Sequence, residues 1–299
     1  MCIRDRPKCA SKAEGIPYWN SGSEGTGPPS SVSMVAYNTE ECTATFTVTV
    51  SGGAPTFSNT GAITKTYGNA AFKMPTTVNS GGTLSYSSSN TGVATVDASG
   101  NVTIKAAGTT NITVSAAATS NYTAGSVVVK LTVNKASPTF SGSTSFTKTW
   151  GGAAFSLGQS VNSGGTLSYS SNNTGVATVN SSGTVTIVGK GTATITVAAA
   201  ATSNYNAGSR NVTVTVNPKA PTFSGETAFS VTYGGTVNIK DSVSVDSGGA
   251  LSFASSNTNI LTVNAATGVV TPVAQGTANV TVTAAANGNY ASGTRTVTV

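Results

Sequence analysis

Apolar and polar residues alternate with a period of two along most of the chain. Thr43 to Val50 reads TATFTVTV, Leu84 and Tyr86 alternate with serines, and Val129, Leu131 and Val133 alternate with Lys130 and Thr132. Successive side chains of a strand point to opposite faces, so each such run predicts a strand with one buried and one wet face. The pairs Phe72/Met74, Phe155/Leu157 and Ile112/Val114 keep the same spacing. Threonine rows such as Thr192, Thr194 and Thr196 interleave with Ile195 and Val197 and read as the solvent face of a sheet. Runs this short, broken by Gly, Ser and Asn, predict an all-β chain of two-sheet antiparallel sandwiches.

The pattern is written three times. SGGTLSYSSSNTGVATVDASGNVTI from Ser80 to Ile104 returns from Ser163 and, more loosely, from Ser247. The aromatic of a Thr-aromatic-Gly triplet falls at Tyr67, Trp150 and Tyr233, a step of 83, and Pro55, Pro138 and Pro221 keep that step. Valines at 50, 133, 216 and 299 read as closing successive units. A period of this length is a small self-contained domain rather than a solenoid repeat, which must stack on neighbours to bury a core.

The predicted divisions are an unstructured or fragmentary segment 1–35 and a remnant of a preceding module at 36–53, ending in the strand Thr43 to Val50. Three modules follow at 54–136, 137–219 and 220–299. The opening MCIRDR resembles translated adapter sequence, which points to a gene fragment. Each module opens on Pro-Thr-Phe, where proline stiffens the joint and phenylalanine anchors the first strand. Only Asn134-Lys135-Ala136-Ser137 and Asn217-Pro218-Lys219-Ala220 separate a closing valine from the next opening. Joints so short restrict bending, and modules of about 35–40 Å would carry three in line to roughly 110 Å.

Two loop features recur. Asp97 to Asn101 places Gly100 where a hairpin needs a positive φ, and Gly183 and Gly268 take that place in the copies. Asn-Tyr recurs at Tyr122, Tyr205 and Tyr290 before the last strand, where a tyrosine is expected to bury its ring and bond a loop carbonyl.

The run Ser88-Ser89-Asn90, Val93 to Val96, Gly100, Val102-Thr103, Gly108-Thr109 and Ile112 to Val114 resembles the bacterial Ig-like domain, group 2. The resemblance covers roughly the last 245 residues and implies tandem Ig-like antiparallel β-sandwich modules, beads on a string. That family supplies tandem modules of invasin- and intimin-type adhesins and also occurs in secreted hydrolases and phage virion proteins. The third copy departs from the pattern at Asn259-Ile260-Leu261 and in a longer Asn264 to Gly268 loop, which makes its loop face the place for a specialised site.

Composition narrows the chemistry. The 299 residues contain no histidine, which removes the usual general base and the Ser/His and Cys/His nucleophile systems. Ser137 to Lys219 contains no Asp or Glu, so a paired-carboxylate site or a carboxylate calcium site there is excluded. In the third module Glu226, Lys240, Asp241 and Asp246 leave a crosslink or weak cation site open against the simpler reading of solvated charge. Gly183 to Thr192 has five residues between its glycines where a phosphate loop needs four. No catalytic, cofactor-binding or metal residue is therefore assigned, and the chain reads as no enzyme.

The net charge is +6, yet the basic residues from 43 onward are scattered singly, unlike the clustered charge of a nucleic-acid binder. The cysteines, Cys2, Cys9 and Cys42, lie outside the repeats, so the modules are expected to fold without disulfides, with a Cys9–Cys42 bridge open. No apolar run reaches the length of a membrane span, and no export signal stands in the first thirty residues. The expectation is a monomeric, extracellular or cell-surface bacterial array of structural and adhesive stalk repeats. Any partner would be a glycan or host-cell surface protein met by module loops. Accessory modules of a secreted polysaccharide-degrading enzyme, or of a phage virion, are the alternatives.

Overall fold

The computed structural model describes residues 31–37 and 43–299. The cysteines and the 1–30 segment, with the expectations placed on them, lie outside the described residues. Contacts divide the chain into two compact units, one comprising the residues to Ala136 with Ser203–Tyr205, the other Ser137–Thr202 with Asn206–Val299.

In the first unit, Ser31–Tyr37 pairs antiparallel with Thr43–Thr49. The expected strand at Thr43 is present, but its partner begins inside the stretch expected to be loop. Val32 and Met34 alternate with Ser31 and Ser33 before the apolar Val35 and Ala36, a short period-two pattern next to a Gly/Pro/Ser-rich run.

Repeat 1 then builds a sandwich. One sheet has the order Ile63–Thr66, Gly125–Asn134, Gly108–Ala116, Leu84–Ser88. The facing sheet is Phe72–Lys73, Asn101–Ile104, Ala94–Val96, and Phe57–Ser58 pairs with Thr77–Val78 beside them. One pairing departs from the antiparallel expectation: Ile63–Thr66 runs parallel to Leu131–Asn134. The last strand occupies the second position of its sheet, so its outer edge is open to the first long strand of the repeat, which lies along it in the same direction. Repeat 2 copies this in the second unit, with Ser145–Thr149 parallel to Thr213–Asn217.

Each repeat closes its own core. Ile112, Val114, Val129 and Leu131 are fully buried in repeat 1, Ile195, Val197, Val212 and Val214 in repeat 2, and Val280, Val282 and Val297 in repeat 3. Phe57, Phe140 and Phe223 pack against these cores as anchors of the opening strands. The hairpin glycines have φ of +81°, +77° and +73° at Gly100, Gly183 and Gly268, and a Cβ there would meet the ring of Tyr86, Tyr169 or Phe253.

Repeat 3 corrects the reading of the closing valines. Ile195 pairs with Val212 and Val280 pairs with Val297, while Ala278 exchanges both backbone hydrogen bonds with Val299 as Ala193 pairs with Val214. Val299 therefore stands where Leu131 and Val214 stand, not where Val133 and Val216 do. The repeat gains one residue between Tyr233 and Val245, around a 3-10 turn at Ile239–Asp241, and another in the Asn264 to Gly268 loop. The strand equivalent to Ser145–Thr149 is reduced to a single bridge, Ala228 with Thr298.

Candidate functional site

Residues of the recurring Thr-aromatic-Gly and Asn-Tyr pairs meet at the ends of the repeats, where Tyr67 and Trp150 also pack against the cores of their own repeats. In the second unit, the last strand of repeat 2 delivers Asn217, whose carbonyl accepts from the Trp150 N–H at 2.9 Å. The Trp150 indole N–H donates to the Val188 carbonyl at 3.1 Å, so the ring is fixed at both ends. Repeat 3 reaches this ring with Asn289-Tyr290. The Tyr290 ring lies edge-on to Trp150, with centroids 5.2 Å apart and planes at 65°, the arrangement the aromatic quadrupoles favour. Asn289 Oδ1 accepts from the Lys190 N–H at 2.8 Å.

The linker is tied to the same loop. The Lys219 N–H donates to the Asn289 carbonyl at 3.0 Å and the Ala291 N–H donates to the Lys219 carbonyl at 2.9 Å. The Lys219 ammonium stands 5.4 Å from the Tyr290 ring centroid and 3.3 Å from Asp246 Oδ2. One loop thus binds the linker through its backbone and the preceding repeat through its side chains.

The first unit contains the same constellation. Asn134 accepts from the Tyr67 N–H at 2.8 Å, Tyr205 lies edge-on to Tyr67 at 5.5 Å and 76°, and Asn204 Oδ1 accepts from the Ala107 N–H at 2.8 Å. The Ala136 N–H donates to the Asn204 carbonyl at 2.9 Å. At the other end of repeat 1 the described residues show the backbone bonds: the Gly53 N–H donates to the Asn121 carbonyl and the Thr123 N–H to the Gly53 carbonyl, each at 2.9 Å. Tyr205 and Tyr290 thus each set their ring edge-on to the aromatic of the Thr-aromatic-Gly triplet one repeat earlier. The sequence carried the signal in the equal recurrence of the Thr-aromatic-Gly and Asn-Tyr pairs. It did not show that they face each other, because that depends on the turn at Ala107 and Lys190.

The charged residues singled out in repeat 3 are not brought together. Asp246 accepts from the Thr222 N–H at 2.7 Å, replacing Asn79 and Asn162, which accept from Thr56 and Thr139 at 2.8 Å. Asp241 accepts from Asn238, the Lys240 ammonium faces the Ala266 carbonyl, and Glu226 is exposed. Among the described residues no three of His, Cys, Asp and Glu lie together. In the longer loop Asn264 Oδ1 accepts from the N–H groups of Ala266 and Thr267, an Asx turn that closes the loop on itself.

The hairpin loops yield one titration difference. The Asn101 side chain, then its backbone N–H and that of Ser99, hold the Asp97 carboxyl below the ordinary 3.8. Asn180 makes the equivalent bonds to Ser182 and Thr184 without a charge. A depressed folded pKa contributes stability that is full above the unfolded value and lost as pH falls through the folded one. The repeat 1 hairpin therefore loosens below about pH 4 while the repeat 2 hairpin does not. Temperature coefficients of the Asn101 and Thr184 amides across that range measure this, and Asp97→Asn should abolish the difference.

These observations define the class: an all-β chain of tandem Ig-like sandwiches. The family described as the intimin immunoglobulin-like domain matches residues 72–118 and 159–201, consistent with a bacterial Ig-like domain of the invasin/intimin type. No curated protein matches the chain. Among solved structures, Drosophila N-cadherin EC1-4 is similar at 14% identity and TM-score 0.31, over 92% of this chain and 84% of that one. Surface layer protein SbsC, domains 1-6, is similar at 19% and 0.30, over 85% and 41% respectively. The immunoglobulin domains 1-5 of Sidekick-1 are similar at 15% and 0.28, over 89% and 65%. No helix among the described residues is long and apolar enough to cross a membrane.

Proposed function

We propose that this array is a non-catalytic, adhesion-type stalk of a bacterial surface or secreted protein, holding other parts of its molecule at a distance. The clasp carries the reading. A spacer must transmit position, and a joint fixed by a four-residue linker, an edge-on aromatic pair and a side chain-to-backbone hydrogen bond resists bending far better than a Gly/Ser tether. The same device recurs with different aromatics, Tyr67 in one repeat and Trp150 in the next, so the geometry is kept while the residue changes. The intimin-type match supports the adhesive context.

Small-angle scattering tests the spacer. A compact globule of this length has a radius of gyration of roughly 19 Å, whereas a 110 Å array gives about 30 Å. A value near the globule would refute the stalk. The double variant Asn289→Ala/Tyr290→Ser should broaden the distance distribution and, in a Trp19→Phe background, shift Trp150 emission to the red as its edge contact is lost. Unchanged scattering and emission would show that the clasp does not hold the joint.

A further inference from the structure

In repeat 2 the first long strand, Ser145–Thr149, and the last strand are held in parallel register by five residue pairs, from Ser145 with Thr213 to Thr149 with Asn217. The Thr213 N–H donates to the Thr144 carbonyl and the Trp150 N–H to the Asn217 carbonyl, each at 2.9 Å, so hydrogen bonds close both ends of the ladder. Repeat 1 pairs Ile63–Thr66 with Leu131–Asn134 in the same way, closed by the Tyr67 N–H donating to the Asn134 carbonyl at 2.8 Å. The outer strand is also pinned from the side. Phe146 packs against the core with its ring 5.2 Å from that of Phe155, and Lys148 Nζ stands 4.7 Å over the same Phe155 ring. In repeat 1 Ile63 packs against the core and Lys65 Nζ stands 4.6 Å over Phe72.

Direction decides what such a ladder does under tension. The chain enters the ladder of repeat 2 at Ser145 and leaves it at Asn217, and in a parallel pair these lie at opposite ends. Tension through the two ends of the repeat slides one strand along the other and loads every bond at once. An antiparallel hairpin pulled by its two ends instead opens one bond at a time. The pairing of Phe140–Ser141 with Ser160–Val161, which lies ahead of the ladder, spans two residues and shields it little. We propose that repeats 1 and 2 bear mechanical load, each through a clamp made by its first long strand and its last. The proposal rests on the stalk reading for the direction of pull, since a spacer is loaded through its two ends. Sliding the clamp must break its bonds together and drag Phe146 or Ile63 off the core, so the barrier is high and narrow. Forced unfolding reads that barrier rather than equilibrium stability.

Stretching the full chain between tags on its two ends is the test. Each repeat that yields releases about 250 Å, its 83 residues at about 3.5 Å each less the folded length. The dependence of force on loading rate should give a distance to the transition state of a few Å, the stretch that takes an N–H···O pair out of bonding range. A distance on the order of 10 Å or more in both repeats would mean that bonds open in turn along strands of about 3.3 Å per residue, and it overturns the clamp. Proline substitutions locate the resistance. Alternation along the strand turns the N–H groups of Phe146 and Lys148 toward Thr213–Asn217 and that of Thr147 outward, just as the Thr66 N–H of repeat 1 turns away from its ladder to Asn69 Oδ1. Lys148→Pro should therefore at least halve the force at which one repeat yields, while Thr147→Pro leaves it unchanged. Equal forces for Lys148→Pro and wild type, or equal weakening by the two prolines, would place the resistance elsewhere in the repeat and overturn the proposal. Small-angle scattering separates this from the stalk reading: a compact array with a narrow barrier refutes the stalk and keeps the clamp, and an extended array with a wide barrier does the reverse.

Discussion

Ile195→Ala lowers the stability of repeat 2 by about 3–4 kcal/mol, near the middle of the range for deleting three buried carbons from a core. Ile195 is fully buried, pairs with Val212 on one side and Ser171 on the other, and belongs to a cluster with Leu157, Val185, Val197 and Val214. Apart from Leu157, these cluster neighbours are valines on hydrogen-bonded strands, which cannot swing into the void, so the cavity persists. The three buried clusters share no residue, so the loss should stay in one repeat. Urea unfolding of the variant is expected to split, one third of the signal moving to lower denaturant while the rest remains. A single transition displaced as a whole would mean that the repeats unfold as one cooperative body, which would overturn the reading of each unit as a domain in its own right.

Much of this architecture was legible because the interior obeys one rule. Along the long strands of the sandwiches, as at Ile112/Val114 and Val129/Leu131/Val133, the apolar members that alternate with Thr, Ser or Lys are buried, as the pleat leads one to expect, whereas Val48 between two threonines is 41% exposed. The hairpin glycines were legible for a similar reason, since a positive φ beside an aromatic ring admits little else. The parallel edge strand was not legible. Alternation fixes which face of Ile63 is buried but carries no information on the direction of the neighbour. The register of repeat 3 was missed because Val297 and Val299 both fit an alternating strand, and two inserted residues preserve the alternation while moving its partner. The clasp was half legible. Recurrence marked Tyr67, Trp150, Tyr205 and Tyr290 as important, but the partner atoms on Ala107 and Lys190 are backbone N–H groups, which every sequence supplies and none advertises.

The Ser-Gly-Gly that opens each copy of the repeated run gives the second large effect. In all three repeats a Cβ on the second glycine would collide with a carbonyl oxygen: that of Ala117 for Gly82, Ala200 for Gly165 and Ala285 for Gly249. The obstacle is backbone, held by the Ala200 N–H donating to Thr166 at 3.0 Å and by the adjoining pair Leu167 and Ala199, so it cannot rotate away. Gly165→Ala should therefore cost about 1–3 kcal/mol, the range for forcing a methyl into a filled site. The loss should show as faster amide exchange along Leu167–Ser171 and Gly191–Ala199 rather than in the repeat as a whole. The neighbouring Gly164 provides the contrast. Its φ is +67° and a Cβ there meets nothing within 4 Å, so Gly164→Asn, which tolerates the left-handed region, should cost well under about 1 kcal/mol. Equal stability of Gly165→Ala and wild type would show that the sheet can slide away from Ala200. A larger loss for Gly164→Asn than for Gly165→Ala would mean that dihedral strain, not close approach, is what keeps this pair of glycines in every repeat.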